Sequence, residues 1–287
     1  MQINLKLPNI HEGKYQRKIN GMITQCLTCE RKCKISEGKV GFCGTRVNIS
    51  GVIYSIVYGF IPAISVNPIE KKPFYHFFPG TYALTIGTYG CNFSCSWCQN
   101  HHLSHPKKKI ENIVQKKDAF ISPENLIKTA KIKKCEGTSI SFNEPTLLFE
   151  YSMNVFKLAK ENNLYNTYVS NGYMTEIVLK DLVKAGLNAI NIDIKGSDND
   201  VEKYCGIENE KVWRNANLVK ELGVHVEITT LLIENLNSNP KTIETIAKRI
   251  QNELGPNTPF HISRFFPRYK SKEKGFTKET SLELLKK

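Results

Sequence analysis

The segment Gly90-Cys-Asn-Phe-Ser-Cys-Ser-Trp-Cys-Gln-Asn100 follows an apolar, strand-like run, Tyr82–Thr88. It carries three cysteines, Cys91, Cys95 and Cys98, in a Cys-x3-Cys-x2-Cys spacing. A [4Fe-4S] cluster ordinarily takes four cysteine thiolates, so three would leave one iron open to a ligand that the protein does not supply. Part of a zinc site or of a disulfide framework is the alternative, but the next cysteine lies far downstream.

Short β-branched runs alternate with longer amphipathic stretches from Tyr82 onward, which is typical of βα units. Strands are predicted at Tyr82–Thr88, Thr138–Phe142, Thr167–Ser170, Ala189–Ile194, His225–Leu232 and Pro259–Arg264. Helices are predicted at Ser122–Lys133, Phe149–Glu161, Glu176–Ala185, Val212–Leu222 and Pro240–Leu254, and one begins within Glu279–Lys287. The predicted fold class is α/β, a partial (β/α)6 TIM-type barrel over residues 81–287. The cysteine motif then follows the first strand, where such barrels place their sites.

A second group of cysteines, Cys26, Cys29, Cys33 and Cys43, lies within eighteen residues that include several glycines. So short a segment buries too little apolar surface to fold alone, and a bound metal supplies the missing free energy. We predict a small N-terminal cysteine-rich lobe and lead-in loop over residues 1–80. Zinc and a second Fe–S cluster both fit as a possible second metal, and free thiols are the alternative.

The 287-residue chain has a formal charge of +13 and nine cysteines. No apolar stretch approaches the ~20 residues that span a membrane, and the N-terminus lacks a signal-peptide pattern. We therefore expect a cytoplasmic protein, where a reducing environment favours metal-binding cysteines over disulfides. Lysines cluster at Lys107–Lys109 and Lys131–Lys134 without interleaved aromatic residues, so a solvated lysine-rich surface is favoured over nucleic-acid binding.

Polar residues gather where several predicted strands end, as a site at the C-terminal rim of a barrel requires. The second and third strands lead into Asn143-Glu144 and Ser170-Asn171, for which helix initiation and turn chemistry are the alternatives. Asp193 and Lys195 share one face of the fourth strand because side chains alternate with period two. We predict that they pair around a ligand, with a structural ion pair as the alternative.

Three further residues give weaker signals. Glu227 of the fifth strand is more typical of a carboxylate that is hydrogen-bonded inside the barrel than of a catalytic residue. His261 of the sixth strand is either a pocket residue or a core histidine. Cys205 precedes a glycine and could face a substrate.

These segments together resemble the radical S-adenosylmethionine (radical SAM) superfamily, and within it proteins similar to pyruvate formate-lyase activating enzymes. The subgroup that the sequence resembles most is the AmmeMemoRadiSam system radical SAM enzymes. Besides the cysteine triplet, the resemblance rests on Cys26–Gly44, Pro68–Gly80, Asn143–Thr146, Ser170–Tyr173 and Asp193–Gly196. Two departures stand out: Asn67 replaces an aspartate, and the cysteine-containing C-terminal segment of the subgroup is absent. We expect the protein to lack that segment or to obtain it from another chain.

The resemblance implies a [4Fe-4S] cluster on Cys91, Cys95 and Cys98, whose open iron takes the amino and carboxylate groups of SAM. It implies an oxidoreductase that cleaves SAM reductively to a 5′-deoxyadenosyl radical, which abstracts hydrogen from an unidentified substrate, as glycyl-radical-enzyme activases do. The residues expected to bind SAM are Asn143, Glu144, Ser170, Asn171, Asp193, Lys195 and His261. Glu144 would hold the methionine ammonium through a charge-assisted hydrogen bond.

The implied partner is a cellular electron donor, and Memo-like and AMMECR-like proteins are partners by analogy. Two alternatives remain open. One is a radical SAM enzyme that modifies RNA and uses the positive charge and the cysteine lobe to bind it. The other is a non-enzymatic Fe–S electron-transfer module, against which the polar residues on successive strand ends argue.

Overall fold

The computed structural model describes residues 3–115, 119–271 and 277. The N-terminal part contains two small antiparallel sheets. Their strands are β1 (His11–Glu12), β2 (Gln16–Asn20), β3 (Ile23–Cys26), β4 (Lys34–Ile35), β5 (Arg46–Ile49) and β6 (Val52–Ser55). The spatial orders are β1-β6-β5 and β2-β3-β4. Because strands of two to five residues bury little apolar surface, this lobe depends on its packing against the rest of the chain.

The main sheet has seven strands in chain order. They are β7 (Ala63–Pro68), β8 (Tyr82–Gly87), β9 (Gly137–Ile140), β10 (Tyr165–Ser170), β11 (Ala189–Asp193), β12 (His225–Leu232) and β13 (Phe260–Arg264). Neighbours from β8 to β13 are parallel, whereas β7 pairs antiparallel with β8. The six parallel strands confirm the α/β class and the partial (β/α)6 barrel. In the described chain, β7 and β13 are the two edges of this sheet.

Helices connect the parallel strands. The described α-helices are α1 (His101–Ser104), α2 (Ile110–Ile113), α3 (Pro123–Ile132), α4 (Phe149–Glu161), α5 (Glu176–Ala185), α6 (Asp198–Cys205), α7 (Asn209–Glu221) and α8 (Pro240–Arg249). The α8 helix continues into a π-helical turn, Ile250–Leu254. The Ser122 hydroxyl accepts a hydrogen bond from the Asn125 amide and caps α3. The helix predicted within Glu279–Lys287 lies outside the described residues. Among the described helices, none is both long enough and apolar enough to cross a bilayer.

Strand β7 was missed by the sequence analysis, which places it in the N-terminal lobe and its lead-in loop. Its register runs from Ala63 opposite Gly87 to Pro68 opposite Tyr82. The strand is short and ends in a proline. Its large apolar side chains Ile64 and Val66 are exposed while Ala63 and Ser65 are half-buried, which is the reverse of the usual pattern of a half-buried strand. The boundary at residue 80 stays a prediction, although β7 joins the barrel sheet.

The segment after β7 fills the amino-terminal end of the barrel. Phe74 and Phe77 are buried in an apolar cluster at the starts of the central strands. The backbone amides of Tyr75 and His76 donate hydrogen bonds to the Glu227 carboxylate at 3.1 and 3.0 Å. Glu227 is fully buried and is therefore the satisfied interior carboxylate that the sequence favoured. With this end filled, the barrel opens at the carboxyl ends of its strands.

A buried ion pair joins the lobe to the barrel. Arg46 on β5 donates to both carboxylate oxygens of Glu150 on α4, at 2.7 and 2.8 Å. Burial opposes ionisation of Glu150, but Arg46 outweighs it and holds the pKa of this carboxyl below its ordinary value. The Lys14 amide donates to the same carboxylate at 3.1 Å. The pair fixes the lobe on the first turn of α4. Removing either partner would leave a buried, unpaired charge and lower the free energy of unfolding.

Candidate functional site

A cavity of about 390 Å³ lies at the carboxyl ends of strands β9 to β13. The loop that carries the cysteine triplet, between β8 and α1, forms one of its walls. Nine of the predicted site residues line this cavity: Cys91, Cys95, Cys98, Asn143, Glu144, Ser170, Asn171, Asp193 and Lys195. They come from four separate segments of the sequence, and the barrel topology brings them to one place.

The donor set of the cysteine loop suits a cluster with one open iron. Within the described chain, these three cysteines are the ones that line the cavity. The Phe93 amide donates to Cys91 Sγ at 3.4 Å, and Ser104 is hydrogen-bonded to Cys98. Burial raises the pKa of the Cys91 and Cys98 thiols, so a cationic metal centre would be needed to hold them as thiolates. Three grouped thiols facing open space therefore fit a [4Fe-4S] cluster.

Glu144 is buried at the end of β9, with its carboxylate fixed by three neighbours. Oε1 accepts hydrogen bonds from the Thr146 amide at 3.0 Å and the Ser170 hydroxyl at 2.8 Å. Oε2 accepts one from the Asn171 amide at 2.9 Å. Burial raises the pKa of Glu144, and the hydrogen bonds oppose that rise. Among the described residues Oε2 has this single donor, so the carboxylate, which lines the cavity, could also accept from an ammonium group. Contact with SAM stays a prediction.

Two amide side chains orient the cysteine loop. Asn143 Oδ1 accepts from the Thr88 amide at 3.0 Å, and its Nδ2 donates to the Gly90 carbonyl at 2.9 Å. Asn171 Nδ2 donates to Asn92 Oδ1 at 2.7 Å, one residue after the first cysteine. These contacts tie the ends of β9 and β10 to the loop. Asn143 and Asn171 are therefore positioning residues, whatever their contact with SAM.

The cysteine loop also packs directly against the lobe. Gly90 has a φ of +89°, and a Cβ there would lie 2.5 Å from the Cys43 carbonyl oxygen. Only glycine accommodates both the conformation and the close approach. Arg31 of the lobe donates to the Asn92 carbonyl and, at 3.0 Å, to the Gly206 carbonyl. The lobe thus supports the loop from the side opposite the barrel.

Asp193 and Lys195 form the predicted couple at the end of β11. Lys195 Nζ lies 3.0 Å from Asp193 Oδ2, and both side chains line the cavity. Burial opposes protonation of Lys195, but the Asp193 carboxylate and the thiols of Cys95 and Cys205 hold its pKa above the ordinary value. The pair contributes both a donor and an acceptor at the cavity wall. Whether a ligand sits between them stays a prediction.

His261 is the predicted site residue that the structure places elsewhere: it does not line the cavity. It is the second residue of β13, near the amino end of the strand, and cannot reach the carboxyl rim. Its Nε2 lies 2.5 Å from Glu227 Oε2, and His225 Nε2 lies 2.9 Å from Glu227 Oε1. Ligand atoms of His76, Glu227 and His261 lie within 4.8 Å of one another, a spacing that could hold a metal ion.

Cys205 does not line the cavity, as a residue that faces a substrate would. It is fully buried at the end of α6, and its Sγ lies 3.2 Å from Cys95 Sγ. The hydrogen bond to Cys95, together with burial, raises the pKa of the Cys205 thiol. Cys205 therefore packs behind one of the three motif cysteines rather than lining the cavity.

Lys72 and Phe142 line the cavity but were missed by the sequence analysis. The Lys72 ammonium lies 4.4 Å from the centre of the Phe142 ring. Phe142 has a φ of +70°, a left-handed conformation that is rare for bulky residues and concentrates at functional sites. Gly87 makes room for it, since a Cβ there would lie 2.9 Å from Phe142 Cβ. The one available signal was a lysine between a second lysine and Pro73-Phe74, in a segment otherwise suited to burial.

The lobe cysteines converge on a second, much smaller cavity of about 10 Å³. Its sulfur-bearing residues are Cys26, Cys29, Cys33 and Cys43. Cys43 Sγ lies 3.2 Å from the Thr45 hydroxyl. Burial raises the pKa of the Cys26 and Cys29 thiols, and the neighbouring thiols raise it further. Such a group releases its protons when a metal binds, and a second metal on these cysteines stays a prediction.

Comparison with known proteins agrees with this geometry. The family model for the Radical SAM superfamily matches residues 85–250, which is more than half of the chain. An uncharacterised protein of Methanocaldococcus jannaschii is 37% identical over 262 residues, covering 91% of this chain and 76% of that protein. Another protein of the same organism, named as a candidate glycyl-radical enzyme activating enzyme, is 31% identical over 175 residues. That match covers 59% of this chain and 63%, less than two thirds, of the relative.

Solved structures share the fold. The crystal structure of Streptococcus suis SuiB bound to S-adenosylmethionine aligns with a TM-score of 0.54 at 14% sequence identity. The alignment covers 71% of this chain and 47% of that one. At this identity the likeness concerns the backbone architecture alone.

Proposed function

The chain belongs to the radical SAM superfamily, and we propose that it cleaves SAM reductively to abstract hydrogen from a substrate, as glycyl-radical-enzyme activases do. The observation that carries the proposal is the convergence of the three motif cysteines with Glu144 and the Asp193–Lys195 couple on one cavity. A carboxylate and an ion pair beside an open iron would give SAM both charge complementarity and a fixed orientation.

Cys91, Cys95 and Cys98 would hold the [4Fe-4S] cluster, which when bound supplies the electron for SAM cleavage. Glu144 would orient the amino group of SAM by accepting a hydrogen bond from it, since the Glu144 carboxylate is already immobilised by Ser170 and its neighbours. The filled amino-terminal end of the barrel leaves access to the cavity from the carboxyl side. That geometry limits water and stray hydrogen donors near the reacting atoms.

The test is the spectrum of the reduced cluster. Anaerobically reconstituted protein should contain about four irons for the barrel site and show an EPR signal that changes when SAM is added. The change is expected because SAM would bind the open iron directly. A reduced signal that is unaffected by saturating SAM would contradict the proposal and favour a simple electron carrier.

The choice of hydrogen donor needs its own experiment. The relative named as a candidate glycyl-radical enzyme activating enzyme supports a protein backbone glycine as the substrate. Incubation with a deuterated candidate substrate should then place deuterium in 5′-deoxyadenosine. Transfer from a deuterated RNA instead would favour the RNA-modifying alternative.

We also propose that Cys26, Cys29, Cys33 and Cys43 bind a second metal centre that stabilises the lobe. The enclosed cavity among their side chains supports this proposal. Cys26→Ser should lower the metal content assigned to the lobe, while Cys135→Ser, a buried cysteine elsewhere, serves as the control. Zinc and iron analysis distinguishes the two candidate metals, and unchanged content in Cys26→Ser would refute the site.

A further inference from the structure

Lys72 presents a charged group at the cavity that no carboxylate of the described residues neutralises. The residue is only 8% exposed and lines the cavity. Among the described residues, no carboxylate lies within ion-pairing distance of its ammonium, and its recorded contact is the face of Phe142 at 4.4 Å. Burial, together with repulsion from the nearby Lys71, lowers the pKa of Lys72 to about 8.

This arrangement is unfavourable unless something else occupies the cavity. A largely buried ammonium needs a hydrogen-bonded counter-charge, and a cation–π contact replaces only part of its hydration. Buried ionisable groups in a cleft are concentrated at functional sites.

The two carboxylates that line the cavity contact groups other than Lys72. Glu144 accepts hydrogen bonds from Thr146, Ser170 and Asn171. Asp193 is paired with Lys195. Within residues 3–115, 119–271 and 277, the charged or titratable residues that face the cavity are Lys71, Lys72, Cys91, Cys95, Cys98, Glu144, Asp193, Lys195 and Arg264. None of the carboxylates in this set is paired with Lys72.

We propose that Lys72 binds an anionic group, a carboxylate or a phosphate, on the substrate of the reaction. This inference rests on the proposed function, because the SAM carboxylate is expected at the open iron and so would not neutralise Lys72. The substrate class is therefore an acid whose charged group reaches the floor of the cavity, close to the Phe142 ring.

Binding of two probes, malonate and inorganic phosphate, tests the proposal. Their affinity is measured by calorimetry on anaerobically reconstituted, SAM-saturated protein at pH 7. Lys72→Gln should weaken at least one probe tenfold or more, Lys72→Arg should retain most of the binding, and both should bind SAM within twofold of the unmodified protein. The control is Lys180→Gln, an exposed lysine on α5. The probe that responds distinguishes a carboxylate from a phosphate.

A measurement on the unmodified protein guards against misfolding of the variant. Malonate keeps its charge between pH 7 and 9.5, whereas Lys72 loses its proton as pH rises past about 8 in the free protein. Malonate affinity should therefore fall tenfold or more across this range. Flat pH dependence or unchanged affinity in Lys72→Gln would overturn the proposal. So would a tenfold loss of SAM affinity, which would assign Lys72 to SAM. The SAM-dependent EPR change reports on the proposed function independently of these results.

Discussion

At the scale of single residues, the site contains polar groups held by hydrogen bonds and one lysine for which the described part of the chain supplies no carboxylate partner. The Asn143 side chain is hydrogen-bonded to the Thr88 amide and the Gly90 carbonyl, and the Glu144 carboxylate accepts from the Asn171 amide. Such fixed groups need little reorganisation when a charged ligand arrives. Lys72 is the opposite case, because no carboxylate within the described ranges pairs with its ammonium and we propose that a ligand does so.

Replacing Lys72 with methionine should stabilise the protein at pH 7. The folded pKa of about 8 lies below the ordinary value of 10.5, so the unfolded chain binds the proton more tightly and folding is penalised below pH 8. The full shift would correspond to roughly 3 kcal/mol, and partial access to the cavity reduces the expected gain to about 1–2 kcal/mol. Anaerobic denaturant unfolding measures it. Stability of the unmodified protein should also rise from pH 8 to 10.5. A destabilised Lys72→Met variant would show that the amine has an internal partner.

Asn143→Ala should loosen the cysteine loop. The substitution leaves the buried Thr88 amide and Gly90 carbonyl without their partner, which costs about 1–3 kcal/mol each at most. We expect lower iron occupancy after reconstitution, measured as iron per polypeptide. Asn143→Asp keeps the acceptor for Thr88 and should lose less iron. Equal and full occupancy in both variants would mean that the loop holds its shape without this side chain.

At the scale of elements, much of the architecture follows from local pattern. Helices α4 and α5 and strand β12 have the predicted ends, because amphipathic spacing and a C-terminal glycine or turn define them locally. Strand β7 was missed because its pairing with β8 is a long-range event across a proline-containing segment. The metal loop was also predictable, because the spacing of its three cysteines is a local feature of the sequence.

What the sequence could not reveal is depth within the barrel. His261 and Ser263 lie two residues apart on the same strand and therefore at different depths in the barrel. The stagger between neighbouring strands decides which of them reaches the cavity. The burial of Lys72 likewise depends on how its segment turns into the barrel end. The position of Cys205 behind Cys95 depends on how α6 packs against the cysteine loop, a long-range contact that local pattern does not reveal.

The junction between the lobe and α4 gives an element-scale prediction. Arg46→Met leaves Glu150 buried and unpaired and should cost about 3–5 kcal/mol in unfolding free energy. The double variant Arg46→Met/Glu150→Leu removes both charges and should recover most of that loss. Denaturant unfolding of the single and double variants measures the difference. A double variant as unstable as the single one would show that packing, not the unpaired charge, sets the cost.

At the scale of the whole molecule, the loop with the three cysteines lies between the barrel cavity and the lobe that supports it. The amino-terminal end of the barrel is filled, and the cavity opens at the other end. The superfamily is established by the family match, whereas the AmmeMemoRadiSam subgroup, the cytoplasmic location and the protein partners stay predictions. The lobe touches the cysteine loop through Gly90 and Arg31, so damage to the lobe should also reduce cluster content.

The decisive measurement is release of 5′-deoxyadenosine by anaerobically reconstituted protein supplied with dithionite and SAM. The unmodified protein should release it, and the triple variant Cys91→Ala/Cys95→Ala/Cys98→Ala should release none above the protein-free background. The Cys135→Ala variant should behave as the unmodified protein, since that thiol lies outside the cavity. Undiminished release by the triple variant would contradict the assignment of the cluster to this loop.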